Sequence, residues 1–239
     1  MSAPADGSVC LGWIHGGNVR AEFMESVLNL IGSTSLVSRY ATFSAGAHLA
    51  AARNEVAHQF LDDGNEPWLW MIDTDIVFPP GLPSRLLTTA DLEKRPVVTG
   101  LYWTTTAGGM PLVPMIYDRH PGASPEFTPC RRWQPGAVIR VDGCGAGCLL
   151  IHRRVLTAIR AVDGGGQAWF GEIRDSGRAY GEDLSFCLRV TAAGFPIHAD
   201  TAVQAGHVKA MVIGAPGSVL ASALSPGVTW KPEPWHPGC

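Results

Sequence analysis

The sequence predicts an α/β domain: a mostly parallel central sheet flanked by helices, with a smaller β element in its second half. Three observations lead there. Strand-like and helix-like patterns alternate through the N-terminal part of the chain. The run Trp68–Ile72 is apolar throughout, as a short buried strand is. Beyond it, short apolar runs are separated by long connections rich in Gly and Pro.

Taken in order, Ser8 to His15 reads as the first strand and Gly16-Gly17-Asn18 as the loop after it. Ala21 to Ile31 has helical spacing of apolar residues, and Ser35 to Thr42 is rich in β-formers. Ala47 to Leu61 reads as a helix with Ala50, Ala57, Phe60 and Leu61 on one face, ended by Asp62-Asp63-Gly64. Trp68 to Ile72 and Val97 to Tyr102 are strands. Leu112 to Tyr117, Ala137 to Val141 and Leu149 to Ile151 are strand-like. Arg153 to Ala161 and Glu182 to Ala193 are helical, the second closed by Gly194. Pro196 to Ala199 and Thr201 to Gly206 read as short extended pieces. No internal repeat or linker interrupts this order, so residues 1–210 form one domain and 211–239 a Pro/Gly-rich tail.

Composition narrows the function classes. The chain has 239 residues, of which 46% are hydrophobic and 16% charged, with a formal net charge of -3. That allows a sizeable core and gives no global basic signature, so nucleic acid would have to bind through a local patch. No run of about 20 apolar residues is present, so no membrane span is expected. MSAPADGS lacks a basic stretch before an apolar core and does not read as a signal peptide. The six cysteines are scattered; Cys144 and Cys148 are close, but no second pair completes a zinc site. Reduced thiols and a cytoplasmic location are expected.

The stretch WLWMIDTDIVFPPG, residues 68 to 81, carries the first chemistry. An apolar strand ends in Asp73-Thr74-Asp75. In an open α/β sheet, ligands bind beyond the carboxyl ends of the strands. Residues two apart on an extended segment point the same way, so both carboxylates can face one ligand. Buried together they need a cation; a divalent metal serves, and brings a polyphosphate with it. Asp73-Thr74-Asp75-Ile76-Val77 also fits the D-x-D-x-T/V pattern of haloacid-dehalogenase-type phosphatases. In those enzymes, however, the motif closes the first core strand, and Lys94 and Glu182-Asp183 are poor stand-ins for the further residues they need.

A second resemblance covers the chain from Val9 to His207, in order. Ala51-Ala52-Arg53-Asn54 before the DxD strand, VVTGLYW at 97–103, VDGCGAGCLLIHRRVL at 141–156, GEDLSFCLRVTAAGFPIHAD at 181–200 and AGH at 205–207 resemble the GT-A glycosyltransferases of the family-2-like type. Small enzymes of this kind resemble those of bacteriophages and actinobacteria. The resemblance implies a Rossmann-like GT-A fold and transfer of a sugar from a nucleotide-sugar donor, most commonly a UDP-sugar, to a hydroxyl acceptor. It implies that Asp75 ligates Mn²⁺ or Mg²⁺, with His207 as a second ligand and Asp73 on the ribose or sugar, through a metal-bound water. Asp183 becomes the base of an inverting transfer and Glu182 orients the acceptor. The two open a helix, whose dipole keeps the base ionised.

Further donor-site candidates are Arg53 on the nucleotide, His15 and Asn18 in the loop after the first strand, and Gly145 and Gly147 where backbone meets the sugar. Trp103, Trp133 and Trp169 are candidate stacking surfaces in the acceptor half. Arg131-Arg132-Trp133 and His152-Arg153-Arg154 are local basic spots, such as phosphate contact with base stacking would use. The acceptor is therefore open between phage DNA with hydroxymethylated pyrimidines and a virion protein. In the tail, Trp230, Lys231 and Trp235 suit a lid over the donor. The remaining alternative is a binding protein on a GT-A scaffold without turnover.

Overall fold

The computed structural model describes residues 8–46, 48–105, 112–162, 169–175 and 177–209. The tail expected from 211, and with it the lid, lies outside these residues. In chain order the elements are β1 (Val9–His15), α1 (Ala21–Ser33), β2 (Val37–Ser44), α2 (Leu49–Asp62), β3 (Trp68–Ile72), β4 (Ile76–Val77), α3 (Leu82–Thr89), β5 (Val97–Leu101), β6 (Trp103–Thr105), β7 (Leu112–Pro114), β8 (Ile116–Arg119), β9 (Phe127–Pro129), β10 (Val138–Val141), β11 (Gly143–Cys144), β12 (Cys148–His152), α4 (Arg153–Val162), β13 (Ile173–Asp175), β14 (Arg178–Tyr180), α5 (Glu182–Ala192), β15 (Ile197–Gln204) and β16 (Gly206–His207).

Seven strands form the central sheet in the order β10-β15-β5-β12-β3-β1-β2. The strands β2, β1, β3, β5 and β15 run one way, and β12 and β10 run against them. The sheet is thus mixed but mostly parallel. Its alternating side chains feed two cores. Leu69 and Met71 of β3 join Val56 and Phe60 of α2, Val155 and Leu156 of α4, and Phe186 and Val190 of α5. On the other face, Trp68, Trp70 and Ile72 pack with Phe23 and Leu30 of α1 and Leu82 and Leu86 of α3. Both faces are covered, which is why β3 carries no polar residue.

From β1 the chain crosses outward to β2, then returns to the opposite side of β1 for β3. The carboxyl ends of β1 and β3 therefore flank a point where the winding reverses, the place at which such sheets open a ligand crevice. His15 lies at the end of one strand and Asp73 just past the end of the other.

Several sequence expectations are corrected in detail. The strand expected over Leu112 to Tyr117 is two, broken at Met115, whose N–H donates to the Tyr102 carbonyl. The two pieces expected around 196–206 are one long strand, β15, followed by β16. Helix α3 was not expected after Pro79-Pro80-Gly81; Pro83 sits in its first turn, where a missing N–H costs nothing. The cysteines agree with expectation: all five of the described residues are buried and free, and the Cys144 sulfur lies 4.0 Å from that of Cys187.

The basic spot His152-Arg153-Arg154 has a structural use. Helix α2 has no basic residue in its last turn, so its terminal carbonyls need donors from elsewhere. Arg153 supplies them through two nitrogens, to Phe60 O (2.8 Å) and Leu61 O (3.0 Å), and its third reaches Glu66 O (2.8 Å) in the loop beyond, while Arg39 reaches Gln59 O and Phe60 O. Arg154 pairs with Glu93 at 2.9 Å. These residues sit beside Trp68, at the end of β3 away from Asp73. Replacing Arg153 with Met is expected to lower stability by about 2–3 kcal/mol by orphaning those carbonyls; a denaturant titration unchanged within error would contradict this cap.

Candidate active site

The chain leaves β3 at Ile72 and turns at once. Asp73 N–H donates to Gly147 O at 3.2 Å, and Ile76 N–H donates back to Asp73 O at 3.0 Å. The expected extended geometry of Asp73-Thr74-Asp75 is thereby replaced by a tight turn, and the two carboxylates find different partners.

Asp73 Oδ1 lies 2.9 Å from Arg53 Nη2. Arg53 comes from α2 and is buried, with only 3% of its surface exposed. Helix α5 brings its first two residues to the same guanidinium, Glu182 at 3.8 Å and Asp183 at 3.7 Å from Nε. These are ion-pair distances, too long for hydrogen bonds. Nε and Nη1 of Arg53 and Oδ1 of Asp183 are buried without a hydrogen-bond partner among the described residues. Burial works against the charge on Arg53, but the Asp73, Asp183 and Glu182 carboxylates more than offset it and hold the guanidinium protonated. Arg53, a candidate for the nucleotide, is the buried cation among these three carboxylates.

Asp183 accepts a hydrogen bond from the Ala146 backbone, yet burial pushes its carboxyl up to about 6 against the pull of Arg53, with Glu182 and Asp73 adding to the rise. At that level the carboxyl is still mostly ionised near neutral pH, although desolvation brings it closer to protonation than an ordinary helix-start aspartate. A carboxylate poised at this level both accepts a proton near neutral pH and releases it again.

Asp75 faces the other way. Its Oδ2 lies 3.0 Å from His207 Nε2 and 3.0 Å from Lys209 Nζ. Burial alone would raise this carboxyl, but its contacts with His207 and Lys209 bring it down to about 2. The contact is made by topology: β16 pairs antiparallel with β4, His207 opposite Ile76, and Val208 N–H donates to Asp75 O at 2.8 Å. His207 and Lys209, two apart along this segment, project to the same side.

The other imidazole nitrogen of His207 decides what Nε2 can do. Nδ1 is 2.8 Å from the Trp103 carbonyl and must donate to it. In the neutral ring Nε2 then presents a lone pair to a carboxylate, an arrangement that needs a second proton or a cation between them. Two ligands at right angles on bonds of about 2.1 Å stand about 3.0 Å apart, which is the separation found. Asp75 and His207 therefore suit a divalent metal as a pair. Among the described residues no group of three or more His, Cys, Asp or Glu is placed to hold one ion.

Gly145 and Gly147 are required by a side chain that sequence reading passed over. A Cβ on Gly145 would meet the Tyr102 hydroxyl oxygen, and one on Gly147 would lie 2.8 Å from it and 3.1 Å from Asp73 Oδ2. Gly147 N–H donates to that hydroxyl at 3.0 Å. Tyr102 thus seats the glycine segment against the DxD turn, and its ring meets the His207 ring edge-on at 5.5 Å. Tyr102 stands within VVTGLYW, and Lys209 two residues after the Gly-His; neither carries a mark of its role in isolation.

The remaining candidates divide. His15 Nδ1 accepts the Gly17 N–H, and Asn18 is exposed beside it, both at the carboxyl end of β1. Trp103 and Trp133 meet at 6.1 Å with their planes tilted by 42°, next to His207. Trp169 is corrected to a core residue, with 0% exposure and its indole N–H on Leu156 O. Arg131 and Arg132 are exposed beside Trp133. Two cavities flank the start of α5. One of about 450 Å³ is lined by His48, Leu49, Glu172 and Glu182. The other, about 320 Å³, is lined by Glu126, Phe127, Arg178, Tyr180 and Gly181.

This sheet order with its crevice is the GT-A fold. The crystal structure of A197 from STIV superposes with a TM-score of 0.56 at 20% identity, covering 85% of this chain and 86% of that one. The crystal structure of GalNAc-T7 with UDP, GalNAc and Mn²⁺ gives a TM-score of 0.58 at 13% identity over 89% of this chain. The chain spans 46% of the length of GalNAc-T7. No protein-family model matches the sequence, and no curated protein matches it. At these identities the likeness establishes the fold. No helix of the described residues is long and apolar enough to cross a membrane.

Asp183→Asn tests the electrostatics. Because the carboxyl of Asp183 is raised from 3.8 to about 6 in the folded chain, its ionisation costs stability as pH rises through that window and costs nothing below it. The stability of the Asn variant relative to wild type is expected to improve by about 2 kcal/mol between pH 4 and pH 7.5. A difference independent of pH, read from melts at both values, would contradict the buried assignment.

Proposed function

We propose that this chain is a metal-dependent glycosyltransferase that moves a sugar from a nucleotide-sugar donor, a UDP-sugar first among them, to a hydroxyl acceptor with inversion. One observation supports it above the rest. His207, its Nδ1 held by the Trp103 carbonyl, aims Nε2 at Asp75 Oδ2 across 3.0 Å, beyond the carboxyl end of β3. That is how a metal-ligating histidine is set. The GalNAc-T7 structure sharing the fold was solved with UDP and Mn²⁺.

Asp75 and His207 would hold Mn²⁺ or Mg²⁺, which when bound neutralises charge on the donor's diphosphate. A carboxylate with an imidazole suits Mn²⁺ slightly better. Asp73, fixed by Arg53, faces the ribose or the sugar. The acceptor hydroxyl oxygen attacks the anomeric carbon, its proton passes to Asp183, and the bond from that carbon to the phosphate oxygen breaks with its electron pair leaving on the diphosphate. Glu182, next to Asp183 and lining the larger cavity, orients the incoming group.

The acceptor is a hydroxyl on protein or on DNA. The spot around Arg153 is committed to helix α2, so phosphate contact would fall to Arg131 and Arg132 beside the Trp103–Trp133 pair. The phosphatase reading finds less support. The cation on Asp73 is a buried arginine, whereas the lysine of the site contacts Asp75.

The test is a thermal-shift titration with UDP, with and without Mn²⁺, on wild type and Asp75→Ala. Ligand binding to the folded state raises stability by mass action. A metal-dependent upward shift is expected in wild type and none in the variant. Absence of any shift in wild type with UDP, GDP, TDP or CMP, with either metal, would overturn the proposal in favour of a scaffold that does not turn over.

A further inference from the structure

Asp75 Oδ2 has two nitrogen partners at the same distance, His207 Nε2 and the Lys209 ammonium, each at 3.0 Å. A carboxylate oxygen offers about two lone-pair directions; here one faces His207 Nε2 and Lys209 takes the other. An ion shared by Asp75 and His207 bonds Oδ2 along the first and sets a divalent charge beside the ammonium. With His207 fixed by Trp103 at its other nitrogen, Lys209 is the group that this repulsion displaces. Its side chain is 41% exposed and sits on a four-carbon stem, so displacement breaks one contact and strains nothing.

Resting on the transferase reading above, we infer that Lys209 is an exchangeable counter-ion: it occupies Asp75 until a metal–nucleotide complex arrives, then transfers to the diphosphate. The ammonium competes with a free divalent ion for Asp75, because the ion must displace it and gains nothing in return. A metal carrying a diphosphate provides anionic oxygens around the ion, within reach of the displaced ammonium, and lysine binds phosphate as a point charge. Competition in one case and assistance in the other follow from the same residue, so metal and nucleotide enter best together. The assistance grows during transfer. Cleavage of the bond between anomeric carbon and phosphate oxygen leaves one more negative charge on the diphosphate, and a cation placed there stabilises the transition state more than the bound donor.

The experiment is calorimetric titration of wild type and Lys209→Met with two probes, Mn²⁺ alone and UDP at saturating Mn²⁺. The substituted side chain is half-exposed and holds no core, so folding is preserved; near-identical melting curves without ligand check that. The expected result is opposite signs: Mn²⁺ alone binds Lys209→Met several-fold more tightly than wild type, and UDP with Mn²⁺ binds it about tenfold more weakly. Lys209→Arg, which restores a cation, is expected to recover much of the UDP affinity. Equal Mn²⁺ affinity in wild type and Lys209→Met, none in either, or both probes moving in the same direction would overturn the role given to Lys209. The Mn²⁺ arm uses no nucleotide, so failure of wild type to bind UDP would count against the transferase reading and leave the competition decided by Mn²⁺ alone.

Discussion

Arg53 is the constraint around which the candidate site is arranged. A guanidinium with 3% exposure cannot stay charged unless carboxylates surround it, and the carboxylates that do so come from two separate motifs, Asp73 after β3 and Glu182-Asp183 at the start of α5. Neither motif could sit at that depth alone. Three carboxylates packed together repel one another, and a lone buried cation is costly to desolvate. Each side makes the other tolerable. The balance is incomplete, since two nitrogens of Arg53 and one oxygen of Asp183 lack hydrogen bonds among the described residues. Desolvation, joined by Glu182 and Asp73, outweighs the pull of Arg53 and keeps the proton affinity of Asp183 raised.

The site also depends on long-range pairing. Asp75 and His207 are 132 residues apart, joined because β16 pairs with β4, while Tyr102 seats the glycine segment against Asp73. These groups therefore share one frame: the ends of β1 and β3, the glycine turn before β12 and the first turn of α5. Two carboxylates project from it in different directions, Asp75 towards His207 and Lys209 and Asp183 towards Arg53.

Much of this was legible in the chain. The buried strand before the DxD, the alternation through residue 101 and the ordered series from Ala51-Ala52-Arg53-Asn54 to Gly206-His207 predict the fold, because strand burial and motif order leave a local trace. The misreadings have a common origin in tertiary context. Arg53 looks like a solvated helix residue or a nucleotide contact, since nothing local reveals that α5 will cover it. The Asp73–Asp75 spacing suggests a shared direction only if the strand continues, and the strand ends at Ile72. Arg153 reads as a basic surface spot, yet the carbonyls it caps belong to a helix some 90 residues earlier. Lys209 gives no signal at all until β16 pairs with β4. Helix α3 had a signal, Pro83 in its first turn with Leu82 and Leu86 four apart, hidden by the preceding prolines.

The most direct test of the central claim is the pH dependence of stability in Arg53→Met. If Arg53 is what allows Asp73, Glu182 and Asp183 to be ionised side by side, its removal costs about 3–5 kcal/mol at pH 8, and much of that loss disappears at pH 4 as the carboxyls take up protons. Denaturant titrations at the two pH values give the answer. A loss that shrinks strongly on acidification is the expected result. A loss of the same size at both would mean that Arg53 matters only as packing, and would contradict the account of the site as a cluster of carboxylates organised by one buried cation.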